Sequence, residues 1–144
     1  LVGGGNAIDG VPVLTEAGGQ AVAWSEISRS VEIDSPVRFG NDAVLTYTGA
    51  VGDIIGGFWS RGAAWNLLAP QQGVYALNTT LMSPALTATV TDPSGVYEFV
   101  FPASDPTVLG LDAITIYTQC FVQDAQGTLL LSGGTDLTML ADTL

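Results

Sequence analysis

The sequence contains no histidine and no lysine, only three arginines (Arg29, Arg38 and Arg61), and a single cysteine, Cys120. Each shortage closes a class of chemistry. Without His, neither a Ser-His-Asp nor a Cys-His arrangement can form, and the commonest general base is missing. Without Lys, Schiff-base chemistry and the phosphate-cradling P-loop are excluded. One Cys cannot close an internal disulfide, and with no His beside it cannot supply a zinc site. A low-pKa nucleophilic thiol needs cationic neighbours, which are scarce, so Cys120 reads as a small buried apolar residue. Long apolar runs are lacking too, so no membrane-spanning helix is predicted.

Charge is sparse and one-sided. Charged residues make up 12% of the chain, with 14 Asp and Glu and a net charge of −11; the usual charged share is roughly 25%. Such a chain repels nucleic acid and anionic lipid, which excludes both as expected partners. The acidity suits solubility in a salty or calcium-bearing medium. Divalent-cation binding is the lesser reading, since oxygen-ligand loops of the D-x-[DN]-x-[DN]-G type are absent. Carboxylate-pair hydrolysis needs only two acids in a cleft. The Glu residues are Glu16, Glu26, Glu32 and Glu98, and the last three fall on the solvent side of alternating segments. No enzymatic activity and no cofactor are expected.

What is present is β-strand patterning. At 144 residues, 47% of them hydrophobic, the chain can bury one sizeable core, roughly 68–70% of its unfolded surface. Eighteen Gly and seven Pro divide it into short segments with no sustained helical period. Leu86 to Thr91 alternates apolar residues with Thr, and Val96 to Phe101 places Tyr97, Phe99 and Phe101 on one face. Asp92-Pro93-Ser94-Gly95 between them has the residues of a β-turn, which predicts a hairpin. A longer strand carries Ile114, Ile116, Thr118, Cys120 and Val122 on one face. Asp124-Ala125-Gln126-Gly127 turns it back into Thr128 to Ser132, and a last strand covers Leu137 to Leu140. Upstream, Val31 to Ile33, Ala43 to Thr48, Ile54 to Trp59, Ala64 to Leu68 and Gly73 to Leu77 complete the set, with a short helical turn an alternative near Ala63 to Leu68. About ten short strands separated by regular turns predict an all-β, two-layer sandwich of jelly-roll-like type.

The N-terminal segment is different. Gly3-Gly4-Gly5 and Gly18-Gly19 bracket a stretch containing Ile8, Val11, Val13 and Leu14. Glycines at both ends make a hinged strand, free to choose where it pairs. It reads either as the sandwich's own first strand or as a strand donated to a neighbouring subunit. The domain division is therefore residues 1–19 as an arm or exchanged strand and residues 20–144 as one sandwich domain. The chain opens on Leu1 rather than Met, which predicts a mature secreted or cell-surface protein whose signal peptide has been removed.

The stretch from Thr91 to Met139 resembles a β-rich C-terminal module widespread in secreted proteins of planctomycetes and related bacteria. The matching positions are Asp92 and Gly95, Pro102, Pro106 with Leu109 and Gly110, Tyr117 with Gln119, Asp124, and Ser132 with Gly134. The resemblance covers about a third of the chain and implies an extracellular β fold without adding catalytic residues. The first 40 residues fall outside it.

Two functions follow from different classes. The preferred one is a structural subunit of an extracellular filament, sheath or surface assembly, joined to copies of itself by β-strand exchange through Ile8, Val11, Val13 and Leu14. The alternative is a secreted carbohydrate-binding or adhesion module that stacks sugars on Trp59, Trp65 and Tyr75, while Trp24, Trp59 and Trp65 read more simply as core residues. A capsid-like jelly roll fits the same composition. Asn78-Thr79-Thr80 matches the N-glycosylation acceptor pattern. Expected partners are other copies of the chain, with glycans or divalent cations as further ligands.

Overall fold

The computed structural model describes residues 28–67 and 74–143. The arm positions Ile8, Val11, Val13 and Leu14, together with Glu16, Trp24 and Glu26, lie outside the described residues. Those described form eleven strands: β1 (Ser30–Ile33), β2 (Val37–Arg38), β3 (Asp42–Thr48), β4 (Ile54–Ser60), β5 (Ala63–Leu67), β6 (Val74–Leu77), β7 (Met82–Thr89), β8 (Val96–Pro102), β9 (Ala113–Gln123), β10 (Leu129–Leu131) and β11 (Thr135–Leu140). Two 3-10 turns, Thr79–Leu81 and Pro106–Leu109, are the only helical elements among them. The chain is an all-β sandwich.

One sheet has the order β1-β3-β8. The facing sheet runs β2-β11-β9-β4-β7, with β10 paired to the far half of β9. Alternation decides which side chains go between them. Ala43, Leu45 and Tyr47 of β3 are fully buried, whereas Asp42 and Thr48 are exposed. From the other sheet come Ile55, Val90, Cys120, Val122 and Leu130, which pack with Val31, Leu45 and Tyr47 as one cluster. A second cluster joins Ala43 and Ala103 to Leu137 and Met139, with Ile114 and Ile116 alongside. Burying a side chain of this kind stabilises the fold by roughly 1.5–3 kcal/mol.

The β5–β6 hairpin forms a small third layer on the outer face of the larger sheet. Under it, Tyr75, Leu77 and Leu131 are buried against Phe58, Tyr117 and Phe121. Residues Ala63–Leu67 are therefore strand, not a helical turn. Buried Gln119 stitches the layers: its amide oxygen accepts from the Ala76 N–H at 2.9 Å, and its Nε2 donates to the Ser132 carbonyl at 2.9 Å.

The Asp92–Gly95 turn forms, with the Gly95 N–H donating to the Asp92 carbonyl at 2.9 Å. It is not a hairpin. β7 belongs to the larger sheet and β8 to the smaller one, so the turn arches across the sandwich. The cause is visible in the sequence pattern. Leu86 and Ala88 on β7 and Phe99 and Phe101 on β8 all need the same core, and facing sheets bury them face to face. β7 also starts four residues before the alternating run, through Pro84. That is tolerated because β7 ends its sheet and the register with β4 shifts at Gly57/Phe58.

Candidate functional site

The most strongly coupled polar group is buried beneath the β3–β4 loop. Arg29, just before β1, donates from Nε to Asp53 Oδ2 at 2.8 Å and from Nη2 to Oδ1 at 2.9 Å. The Tyr47 hydroxyl at 2.7 Å and the Ala50 N–H at 2.9 Å also donate to Oδ2. Burial by itself would raise the Asp53 carboxyl, but the Arg29 bidentate pair and the two further donors outweigh it and hold its pKa below the usual carboxylate range. Burial and the hydrogen bond to Asp53 both push Tyr47 well above the ordinary phenol value. The side chains of Arg29 and Asp53 are 5% and 1% exposed. With its oxygens occupied by protein donors and no access to solvent, Asp53 is a clamp for the chain where it joins β1. It has no room for a substrate.

Other candidates also resolve into structural roles. Cys120 is fully buried, and burial pushes its thiol up to about 12. Its backbone N–H donates to Ser132 Oγ at 2.8 Å. Glu32 and Glu98 are exposed on the outer face of the smaller sheet, opposite the same residue, Thr46. Asn78 is half-buried and caps the first 3-10 turn, its Oδ1 accepting from the Thr80 N–H at 3.0 Å. Several positions of the resemblance are likewise structural. Asp92 and Asp124 each accept a backbone N–H two residues on, as does Asp105 outside the resemblance, and Gly110 closes the second 3-10 turn at φ +70°. Among the described residues, no group of three or more His, Cys, Asp or Glu side chains could hold a metal ion.

Of the three rings of the expected sugar platform, Trp59 and Tyr75 do not share a face, and the Trp65 side chain lies outside what is described. Trp59 lies on the inter-sheet side of β4, where it meets the Phe101 ring edge-on at 4.8 Å. Tyr75 is 2% exposed beneath the hairpin, on the other face of that sheet, and tilts over Phe121 at 5.3 Å. One is within the sandwich and the other is outside it and covered.

One flank of the sandwich is incompletely closed. The core residues of β3 and the central part of β9 are fully buried, yet Leu86 and Ala88 on β7 and Tyr97, Phe99 and Phe101 on β8 are only half-buried. Among the described residues β8 pairs with β3 alone, and β7 with β4 alone. At the Pro102 end the flank deepens into a groove of about 330 Å³. Trp59, Phe101, Ile114, Ile116 and Met139 make its apolar walls, Leu81 and Leu109 lie at its rim, and Arg61, Ser104 and Asp105 supply its polar edge. An edge strand bordered by apolar side chains is a template for another strand. No sequence signal marked Trp59 and Phe101 as neighbours, because they come from opposite sheets.

No family model matches this chain. Nor does any curated protein. Among solved structures, the fold is similar to a cohesin module from a family 33 glycoside hydrolase of Clostridium perfringens, with 10% identity and a TM-score of 0.39, over 80% of this chain and 96% of that one. No helix among the described residues is long and apolar enough to cross a membrane.

Proposed function

We propose that this chain is a non-catalytic extracellular structural module, a subunit of a filament, sheath or surface assembly whose copies join by β-strand pairing. The observation that carries this reading is the flank left uncovered among the described residues, where a paired sheet ends at β8 beside half-buried Phe99 and Phe101. Backbone N–H and C=O groups along such an edge gain partners when a strand is added, and the adjoining apolar surface is removed from water at the same time. The sequence offers a strand for that purpose in the glycine-bracketed segment around Ile8, Val11, Val13 and Leu14. The absence of His and Lys supports a non-enzymatic role, and the Thr-, Gly- and Asp-rich composition supports an extracellular setting.

Subunits carrying −11 each repel one another, so assembly needs screening by salt or divalent ions. The test is light scattering of the full chain and of a variant lacking residues 1–19. The full chain is expected to form large species and the truncated one to stay a folded monomer. Polymer formation by the truncated protein would refute strand exchange through the arm.

A further inference from the structure

We infer that the free edge of β8, with the Trp59–Phe101 groove at its end, is the acceptor for the N-terminal segment of a second copy of this chain. The inference rests on the assembly reading above and adds the location of its interface. Three observations select the site. First, of the six half-buried apolar residues packed against the main core cluster, all but Ile33 lie on this flank: Tyr97, Phe99 and Phe101 from β8 and Leu86 and Ala88 from β7. Second, the seven residues of β8 span roughly 23 Å at about 3.3 Å per residue, a length that the twelve residues between the two glycine clusters can cover. Third, the groove beyond Phe101 is apolar at its base, with Ile114, Ile116 and Met139 below Trp59, and admits one or two aliphatic side chains of the Ile, Val or Leu type that this segment carries.

The direction of growth follows from where the described chain begins. That point, Ser28 and Arg29, directly precedes β1, and β1 and β8 are the two opposite edges of the same three-stranded sheet. Arg29 is fixed there by its paired hydrogen bonds to Asp53. The segment is therefore attached at the edge opposite its acceptor, which makes the proposed contact head-to-tail. Such a contact repeats without closing unless the rotation per subunit happens to complete a ring. A second copy is the occupant this arrangement favours.

The experiment mixes two variants of the full chain that each add one cysteine, Glu98→Cys on exposed β8 and Thr15→Cys in the segment, and treats them with a short bis-maleimide. Cys120 is buried and stays silent in folded protein, as wild-type chain treated in parallel verifies. The expected result is a covalent heterodimer in the mixture, with no such product from either variant alone. If a variant carrying both Glu98→Cys and Thr15→Cys instead cross-links within one chain and the mixture gives no heterodimer, the segment covers its own flank and the inference is overturned. If neither product forms while light scattering still shows assembly dependent on residues 1–19, the acceptor lies elsewhere. In that case this inference falls and the assembly reading stands. Assembly that persists without residues 1–19 sinks both.

Discussion

Asp53 receives four hydrogen bonds on its two side-chain oxygens, and its own backbone carbonyl accepts from the Val90 N–H at 2.8 Å. One residue thus ties the residue before β1, the β3–β4 loop and the end of β7 together. Replacing it with Asn removes the carboxylate from the bidentate pair with Arg29, and breaking a buried ion pair by removing one partner costs about 3–5 kcal/mol. Urea denaturation at pH 7 should show a loss of that size for Asp53→Asn. The pH dependence has a definite sign. The carboxyl titrates lower in the folded protein than in the unfolded chain, where its value is about 3.9. The unfolded state therefore takes up the proton first as pH falls. The stabilisation is complete above about pH 4 and disappears as pH drops through the folded value. Thermal melts of wild type and Asp53→Asn should differ by a constant amount near neutrality and converge in acid.

Turns decide how the strands combine. Gly95 sits at φ +75°, and a Cβ there would lie 2.1 Å from the Gly49 carbonyl oxygen. The Gly49 N–H donates back to the Gly95 carbonyl at 2.9 Å, so the β7–β8 arch is locked onto the end of β3. Gly95→Ala combines left-handed strain with a backbone clash and should destabilise by about 3 kcal/mol. Gly127, in the β9–β10 hairpin, has φ +81° but meets nothing nearer than Gln123 Nε2 at 3.9 Å. Gly127→Ala should therefore show the conformational penalty alone, about 1 kcal/mol. Chemical denaturation of the two variants side by side checks the ordering. Both turns share a D-x-x-G pattern, and only the packing around the arch separates them.

At the scale of the whole molecule, charge and shape act against each other. Under the proposed strand pairing the β8 flank favours association, while a net charge of −11 opposes it. Screening shortens from roughly 30 Å at 0.01 M salt to about 3 Å at 1 M. Assembly should therefore strengthen steadily across that range, with sedimentation velocity showing larger species at high salt. An interface held mainly by ion pairs would weaken instead, and that outcome would count against strand pairing as the driving contact.

Alternation of apolar and polar residues was enough to establish the all-β class, the inward faces of β7, β8 and β9 and the burial of Cys120. Those are properties of single segments, since a period of two specifies which side chains point to the core whatever lies across from them. The pattern could not specify partners. β7 and β8 looked like a hairpin because a good turn joins two alternating strands, yet an arch satisfies the same turn and the same faces. The two-residue β2, the Pro84 extension of β7 and the pairing of Arg29 with Asp53 carried no local signature either. Only the packing of one sheet on the other put Trp59 beside Phe101 and left β8 as an edge, because contacts between residues 42 positions apart depend on how layers stack rather than on any stretch of chain read alone.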